Sequence, residues 1–181
     1  YYDPMERVIR TVNPDDSFSC VTHQPLVQIQ YDEEDNVPTS SYANTPKTLT
    51  FDGLERLVQV QEMNVADAQR ETYTTTYAYD ILSNLTVITD AQGNVKTMQY
   101  DALSRKVAMD DPNRGEMTYH YDDAGNLIET QDAKGQVVRY GYDAANRPLK
   151  EQWVLPGGSV DHVVYHYDGN ISPRHADARN T

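Results

Sequence analysis

The sequence has few of the residues that usually build a hydrophobic core. Leu, Ile, Val and Phe together supply 35 of the 181 residues, and the formal net charge is −13. Low hydrophobicity combined with high net charge is typical of disordered chains. The sequence nevertheless contains 14 tyrosines, whose rings can be buried while their hydroxyls stay hydrated or hydrogen-bonded. We therefore expect a folded chain with a thin, tyrosine-rich core.

Positive charge and cysteine are scarce as well. The chain has 15 Lys and Arg against 28 Asp and Glu, and tight binding to a phosphate backbone needs clustered cations. We predict no nucleic-acid partner. No apolar run is long enough to span a bilayer, which argues against direct membrane insertion. The single cysteine, Cys20, excludes an internal disulfide. The sequence shows no signal peptide and opens inside a repeat, as expected for a piece of a longer protein.

An aromatic residue followed by Asp recurs along the chain. Successive aromatic residues stand 29, 20, 28, 21, 21, 21 and 25 residues apart, so the period is steady only in the second half. Arg or Asn follows five residues after the aromatic residue in every copy except the last. The predicted structural repeat residues, copy by copy, are Tyr2, Asp3 and Arg7; Tyr31, Asp32 and Asn36; Phe51, Asp52 and Arg56; Tyr79, Asp80 and Asn84; Tyr100, Asp101 and Arg105; Tyr121, Asp122 and Asn126; Tyr142, Asp143 and Arg147; and Tyr167 and Asp168.

Turn residues and strand periodicity together predict the fold class. Clusters of Gly, Asn, Asp and Pro predict one turn after each aromatic-Asp pair and a second turn at Asp90, Asp110 or Asp132. Two turns per period leave two short strands. Tyrosines two residues apart, such as Tyr119 and Tyr121, share a strand face and predict a column of rings. We predict an all-β fold of antiparallel β-hairpin repeats stacked side by side into a curved strip, with each repeat Asp capping its turn.

The spacing of the copies also predicts how the chain is divided. We expect irregular repeats with insertions over residues 1–60, an insertion or loop over 61–76, a regular array over 77–170 and a disordered or truncated tail over 171–181. Residues 61–71 are the one stretch that also tolerates a helix. Eight hairpins give roughly 16 strands and a sheet about 77 Å wide, which would close into a ring of only about 25 Å. A cargo of 100 residues is about 34 Å across, so the chain can form an arc of a container but not a whole one.

No arrangement typical of an enzyme or a metal site is visible. The Asp-rich turns lack the spacing of calcium loops. His162 and His166 would lie about 13 Å apart on a strand, too far for one metal ion. Cys20 and the serines lack a nucleophile motif. We predict no catalytic, cofactor or metal site and no enzyme activity. Trp153 fits either a sugar-stacking platform or packing between hairpins, and packing is favoured.

These copies resemble the YD-repeat, or Rhs, proteins. The resemblance rests on the YDxxGN-type copies, best at "YDDAGNLIET" (121–130) and "YDALSRKV" (100–107). The opening "YYDPMERVIRTVNPDDS" and "YDEEDN" (31–36) resemble more particularly the B and C components of bacterial insecticidal toxin complexes. The family resemblance implies a β-sheet strip that spirals into a hollow shell around a C-terminal toxin polypeptide. It also implies a secreted or extracellular bacterial protein. Nothing after Tyr167 matches the family's Asp-dependent self-cleavage segment, so neither proteolysis nor toxicity is expected here.

Two functional hypotheses follow. The first is a structural segment of a YD-repeat shell that encapsulates and protects a toxin polypeptide before delivery. Its partners would be the enclosed polypeptide and other shell or toxin-complex components. The alternative is a repeat-based binding module for carbohydrate or a cell-surface partner, which would need solvent-accessible aromatic rings.

Overall fold

The computed structural model describes residues 1–66 and 69–167, so Asp168 and the predicted tail at 171–181 lie outside the described residues. The chain divides into two compact units between Met98 and Gln99. The described strands are β1 Arg10–Val12, β2 Phe18–Gln24, β3 Val27–Tyr31, β4 Lys47–Phe51, β5 Leu57–Ala66, β6 Gln69–Tyr79, β7 Leu85–Thr89, β8 Val95–Tyr100, β9 Lys106–Asp111, β10 Gly115–Tyr121, β11 Leu127–Gln131, β12 Val137–Tyr142, β13 Pro148–Leu155 and β14 Gly158–Val164, with a 3-10 helix at Glu34–Asn36.

Each unit is an antiparallel meander. In the first unit, consecutive strands pair antiparallel from β1 with β2 through to β7 with β8. In the second unit, the strands from β9 to β14 do the same. The predicted all-β class of antiparallel hairpin repeats is confirmed. Among the described residues no helix is long and apolar enough to cross a membrane.

The core is thinner than the tyrosine content predicts. Among the described residues the buried hydrophobic side chains are Val60, Met98 and Met109. The repeat tyrosines at the ends of the strands are half-buried. Because each unit presents a sheet with two open faces, little side-chain surface is removed from water at any one position. Most of the described strand residues therefore keep part of their surface in contact with solvent.

The sequence predicts an insertion or loop over residues 61–76, with a helix tolerated over 61–71; the described residues there form strands and neither a loop nor a helix. That the stretch is an insertion stays a prediction. The long hairpin of β5 and β6 covers this stretch, with Glu62 opposite Tyr73 and Val65 opposite Arg70. β5 contains three valines and β6 is rich in threonine, and such β-branched residues favour strands. The stretch lengthens one hairpin beyond the five or six residues of β7 and β8.

The predicted column of aromatic rings is modified by the register. Tyr119 stands opposite Thr130, and Tyr140 stands opposite Glu151. The strand that follows each tyrosine strand thus places a non-aromatic residue across from the ring. The rings of β10 and β12 share one face, but they occupy alternate strands instead of forming directly opposed pairs. The described residues contain fourteen strands in place of the sixteen that eight complete hairpins would give.

Candidate functional site

The turn after each aromatic-Asp pair, here called a YD turn, is a five-residue unit closed by the Asp side chain. In the turn at Asp101, the carboxylate oxygen Oδ1 accepts from the backbone N–H groups of Leu103 at 2.9 Å and Arg105 at 3.0 Å. Oδ2 accepts from Nε of Arg105 at 2.7 Å. The backbone N–H of Asp101 donates to the Arg105 carbonyl at 2.9 Å, and its carbonyl accepts from Ser104 at 3.0 Å. One carboxylate therefore accepts from two backbone N–H groups and one side chain of its own turn.

The same bonds recur in the other YD turns. The side chain of Arg or Asn at the fifth position donates to the Asp carboxylate in the turns Asp3–Arg7, Asp52–Arg56, Asp80–Asn84, Asp122–Asn126 and Asp143–Arg147. The expected capping by Asp, with Arg or Asn fixing the other side, is therefore confirmed for these turns. A shift of strand register precedes the turn at Phe51, Tyr79, Tyr121 and Tyr142. In each case the extra residue of the irregularity lies in the strand that leaves the turn, as Val58 does between Leu57 and Gln59.

The fourth position of each turn adopts a left-handed backbone. Its φ is 60° at Glu55, 67° at Ser83, 60° at Ser104 and 58° at Asn146, and it is 88° at Gly125. Residues with a Cβ atom are strained in this region, whereas glycine is not. The turn geometry is therefore held by the Asp bonds even where the sequence does not supply glycine.

The carboxylates of the YD turns are stabilised in their charged form. Backbone and side-chain hydrogen bonds from Arg105 lower the pKa of Asp101, and the side-chain bond from Asn126 lowers the pKa of Asp122. Asp52 and Asp80 have a lowered pKa for the same reason, chiefly through the side chains of Arg56 and Asn84 respectively. These directions follow from donors that favour the carboxylate over the carboxylic acid.

Three tyrosines of the YD pairs link their own hairpins to the preceding copy. The hydroxyl of Tyr79 donates to the Leu57 carbonyl at 2.8 Å, and the hydroxyl of Tyr121 donates to the Lys106 carbonyl at 2.9 Å. Tyr142 donates in the same way to the carbonyl of Leu127 at 2.9 Å. In every case the acceptor is the residue immediately after the Arg or Asn of the preceding copy. The same tyrosine-to-carbonyl bond therefore occurs once in the first unit and twice in the second.

Three arginines of the YD turns reach the tyrosine of the following copy. The guanidinium carbon of Arg56 lies 4.9 Å from the ring centre of Tyr79, and that of Arg105 lies 4.8 Å from the ring centre of Tyr121. Nη1 of Arg105 also donates to the Asp122 carbonyl at 3.3 Å. Arginine thus binds its own Asp through Nε and covers the next tyrosine ring with its face. Arg147 covers the ring of Tyr167 at 4.5 Å.

The copy at Tyr31 is an exception to the predicted repeat. Its backbone forms a 3-10 helix at Glu34–Asn36, and the Asn36 side chain donates to the Asp32 carbonyl instead of its carboxylate. The connections of a meander lie alternately at the two ends of its strands. The connection between β3 and β4 lies at the end opposite the YD turns of the first unit. The short turn between Gln24 and Val27 lies at the same end of the strands as the YD turns.

The second turns of the hairpins also differ in part from the prediction. Asp90 caps its turn as the YD aspartates do, accepting from the backbone and side chain of Asn94. Asp132 accepts from the backbone of Gln136 at 2.8 Å. Asp110 is not a turn former, because it lies in β9 opposite Glu116. The capping residue is Asp111, which accepts from the backbone N–H of Asn113. Asp therefore caps turns at both ends of the strands.

The other chemical candidates are dispersed. Within the part of the chain that the structure describes, no three His, Cys, Asp or Glu side chains come together to hold a metal ion. His162 stacks on Trp153 with ring centres 4.3 Å apart. Cys20 is a free thiol that contacts Asn36 at 3.8 Å. Trp153 remains 48% exposed, so it does not pack fully between hairpins.

One family model matches part of this chain. The family model of the RHS repeat matches residues 82–116 and 121–152. These two segments are similar to the RHS repeat and cover less than half of the chain. This match covers the regular copies and confirms the predicted resemblance to YD-repeat proteins. No significant sequence match is found among curated proteins.

The fold of these RHS repeats is also found in solved toxin structures. The chain superposes on a Photorhabdus luminescens Tc holotoxin pore with a TM-score of 0.75 and 19% identity, over 88% of this chain and 8% of that one. It superposes on a TcdB2-TccC3 crystal structure with a TM-score of 0.76 and 21% identity, over 88% of this chain and 9% of that one. A TcdB2-TccC3-Cdc42 structure gives a TM-score of 0.76 and 20% identity over the same shares. The chain therefore shares their fold and spans less than a tenth of their length.

Proposed function

We propose that this chain is a structural segment of an RHS-repeat wall that encloses and protects a toxin polypeptide before delivery. The observation that carries the proposal is the direction of the site's contacts. The guanidinium of Arg105 and the hydroxyl of Tyr121 both bridge neighbouring copies instead of converging on a cleft. A catalytic site would need such groups free to meet a substrate. Groups that join one hairpin to the next serve a wall.

The two faces of the second unit support a wall with distinct sides. Residues paired across strands lie on the same face. One face carries Met109, Met117 and Tyr119, and the opposite face carries Asp110 with Glu116 and Glu129 with Arg139. Unfolded polypeptides expose apolar side chains that an aromatic and methionine-rich surface can cover. We assign the face with Met109 and Tyr119 to the enclosed polypeptide and the charged face to solvent.

The proposed partners and location follow from the same assignment. The wall would continue into further RHS repeats, because the chain spans less than a tenth of the similar Tc toxin chains. The partners would be the enclosed polypeptide and other toxin-complex components. We propose a secreted or extracellular bacterial setting. No enzymatic step is assigned to this segment.

Protease protection tests the proposal. The open reading frame that contains residues 1–181 is expressed with the segment intact and with the paired substitutions Asp101→Ala and Asp143→Ala, which remove two turn caps. The intact protein is expected to shield an internal polypeptide from added protease, and the variant is expected to lose that protection. A matched control, Asp110→Ala, removes an exposed strand carboxylate and should leave protection unchanged. An internal polypeptide that is cleaved equally in all three proteins would refute the enclosing wall.

The alternative function is carbohydrate binding, which the exposure of Trp153 favours. This ring is 48% exposed and borders a depression of about 160 Å³ lined also by Val138 and Leu155. Sugar rings stack on such half-exposed aromatic faces, although His162 already covers part of this one. Calorimetric titration with oligosaccharides tests the idea. Binding that disappears in Trp153→Ala would favour it, and heat changes equal in both proteins would remove it.

A further inference from the structure

Four copies carry arginine at the fifth position of the YD turn, and three of these arginines cover an aromatic ring. Arg56, Arg105 and Arg147 lie over the tyrosine of the following copy, with the guanidinium carbon 4.5 to 4.9 Å from the ring centre. Nη1 of Arg56 and of Arg105 also donates to the backbone carbonyl of the residue after that tyrosine, at 3.3 Å in both cases. These two arginines therefore bind two groups of their neighbour, a ring and the adjacent carbonyl.

Arg7 is the exception among the four arginines. It binds Asp3 as the others bind their own aspartates, but no Tyr, Phe or Trp ring of the described residues lies over its guanidinium. The next turn at this end of the strands is the short one between Gln24 and Val27, which supplies no aromatic residue. The Arg7 side chain is 44% exposed, against 24% for Arg56 in the same unit. The face of the Arg7 guanidinium is therefore open to a ring from outside the chain.

The short turn also leaves a depression at this end of the strands. Its loop has two residues, Pro25 and Leu26, where a YD turn has five, so it projects less than the turns on either side. The depression has a volume of about 480 Å³, and both Arg7 and Phe51 line it. Phe51 is the aromatic residue of the next YD turn, and the short turn before it contains no arginine to cover its ring. A guanidinium and an aromatic ring thus border the same depression.

The carbonyl that a tyrosine hydroxyl contacts in other copies is already engaged here. The hydroxyl of Tyr79 donates to the carbonyl of Leu57, the residue after Arg56. The equivalent carbonyl after Arg7 is that of Val8, and Nε2 of His23 lies 3.2 Å from it. In the tautomer with a proton on Nε2, His23 supplies the hydrogen bond that a tyrosine hydroxyl supplies elsewhere. A ring bound beside Arg7 therefore needs no hydroxyl.

We propose that this depression, here called the Arg7 site and lined by Arg7, His23, Leu26 and Phe51, binds a tyrosine or phenylalanine side chain of a partner polypeptide. The ring lies between the Arg7 guanidinium and the Phe51 ring, and the next backbone carbonyl of the partner accepts from Nη1 of Arg7. A polypeptide is the occupant because the other arginines bind a ring and a backbone carbonyl together. The proposal concerns an end of the strands in the first unit and holds whether or not a polypeptide is enclosed. Its failure and that of the protective wall are separately observable.

A peptide titration of the full chain tests the Arg7 site. The probe is acetyl-Gly-Tyr-Asn-Gly-amide, which is uncharged, so the chain's net charge of −13 does not repel it. Two-dimensional NMR spectra report the backbone amides, and saturable shifts are expected at Leu26 and Phe51. The peptide with phenylalanine in place of tyrosine is expected to bind within about twofold of the probe, and the peptide with leucine about fivefold more weakly or worse.

Two variants separate the Arg7 site from nonspecific binding. Arg7→Gln keeps a donor for the Asp3 carboxylate, as asparagine does in the Asp80 turn, and is expected to weaken probe binding by about fivefold or more. Arg114→Gln removes an exposed arginine from the turn between β9 and β10 and should leave binding unchanged. Far-ultraviolet circular dichroism checks that both variants keep their strands.

Four results would overturn the Arg7 site. They are the absence of saturable shifts up to the solubility limit of the probe, equal binding of the tyrosine and leucine peptides, and wild-type affinity in Arg7→Gln. The fourth is a shift of the Leu26 and Phe51 amides when the chain alone is concentrated, which would make a second copy the occupant in place of an outside partner. The first two results come from the wild-type chain and do not depend on the folding of a variant.

Discussion

The hydroxyl of Tyr121 donates to the carbonyl of Lys106 across 2.9 Å, and this bond joins one RHS copy to the one before it. Lys106 is the first residue after the Asp101 turn, so the bond reports the position of that turn directly. The guanidinium of Arg105 covers the ring of the same tyrosine. Two different interactions thus hold Tyr121 against the preceding turn, and a third, from Nη1 of Arg105 to the Asp122 carbonyl, joins the two turns.

Removing the Tyr121 hydroxyl is expected to destabilise the chain. Tyr121→Phe leaves the ring in place and deprives the half-buried Lys106 carbonyl of its donor, at a cost of about 1 kcal/mol in the free energy of unfolding. Tyr119→Phe is the matched control, because the Tyr119 hydroxyl makes a weak contact with the Met117 sulfur at 3.8 Å and not a bond to a backbone carbonyl. Urea unfolding followed by circular dichroism measures both. Equal losses in the two variants would contradict a specific role for the Tyr121 bond.

The left-handed turn position predicts opposite effects for two substitutions. Ser104 has a φ of 60° in the Asp101 turn, so Ser104→Gly is expected to stabilise the chain by up to about 1 kcal/mol. Gly125 has a φ of 88° and open space around the site of a Cβ, so Gly125→Ala is expected to destabilise the chain by about 1 kcal/mol through backbone strain. Thermal unfolding reports the two shifts. Shifts of the same sign would refute the conformational explanation.

Acid is expected to weaken the YD turns. Hydrogen bonds lower the pKa of Asp52, Asp101 and Asp122 in the folded chain below the unfolded value. The folded state therefore binds protons less readily than the unfolded state. The contribution of these carboxylates to the free energy of unfolding is present above the unfolded pKa of about 4. That contribution is lost as the pH falls below the unfolded pKa and through the folded pKa values. Urea midpoints measured from pH 7 down to pH 2 test this.

A variant without two of these carboxylates provides the control for the effect of acid. A variant in which Asp101 and Asp122 are both replaced by Asn should be less stable at pH 7 and should lose less stability on acidification. If the wild-type chain and this variant lose stability in parallel as the pH falls, then carboxylates outside the YD turns govern the response to acid.

Much of the turn architecture could be predicted from the sequence because its bonds are local. Asp101 and Arg105 are four residues apart, and the turn forms from these residues whatever surrounds them. The copy at Tyr31 has the same aromatic-Asp pair followed by Asn36, but it lies at the opposite end of the strands. Its position is fixed by the number of preceding strands, and the turn between Gln24 and Val27, which takes the expected place, carries no Asp at all. A local motif therefore does not determine at which end of the strands it lies.

The contacts between copies could not be predicted for a related reason. The bond from Tyr142 to the Leu127 carbonyl spans 15 residues and depends on the register of three strands and on a bulge between Gly141 and Tyr142. The sequence period indicated that copies stack, but a period does not specify which atoms meet. The long hairpin of β5 and β6 was missed because Gln61 to Glu71 includes Ala, Gln, Glu and Arg, which also suit a helix. Strand pairing overrides that preference.

A double-mutant cycle between Arg105 and Tyr121 is the most direct test of the central claim, that YD turns couple neighbouring RHS copies. The free energies of unfolding of the wild-type chain, Arg105→Gln, Tyr121→Leu and the double variant are compared. The contact of guanidinium and ring predicts a favourable coupling of about 0.5 to 1 kcal/mol, with the double variant less destabilised than the sum of the single variants. Strict additivity of the two losses would mean that the copies are adjacent without being coupled, and would contradict the account.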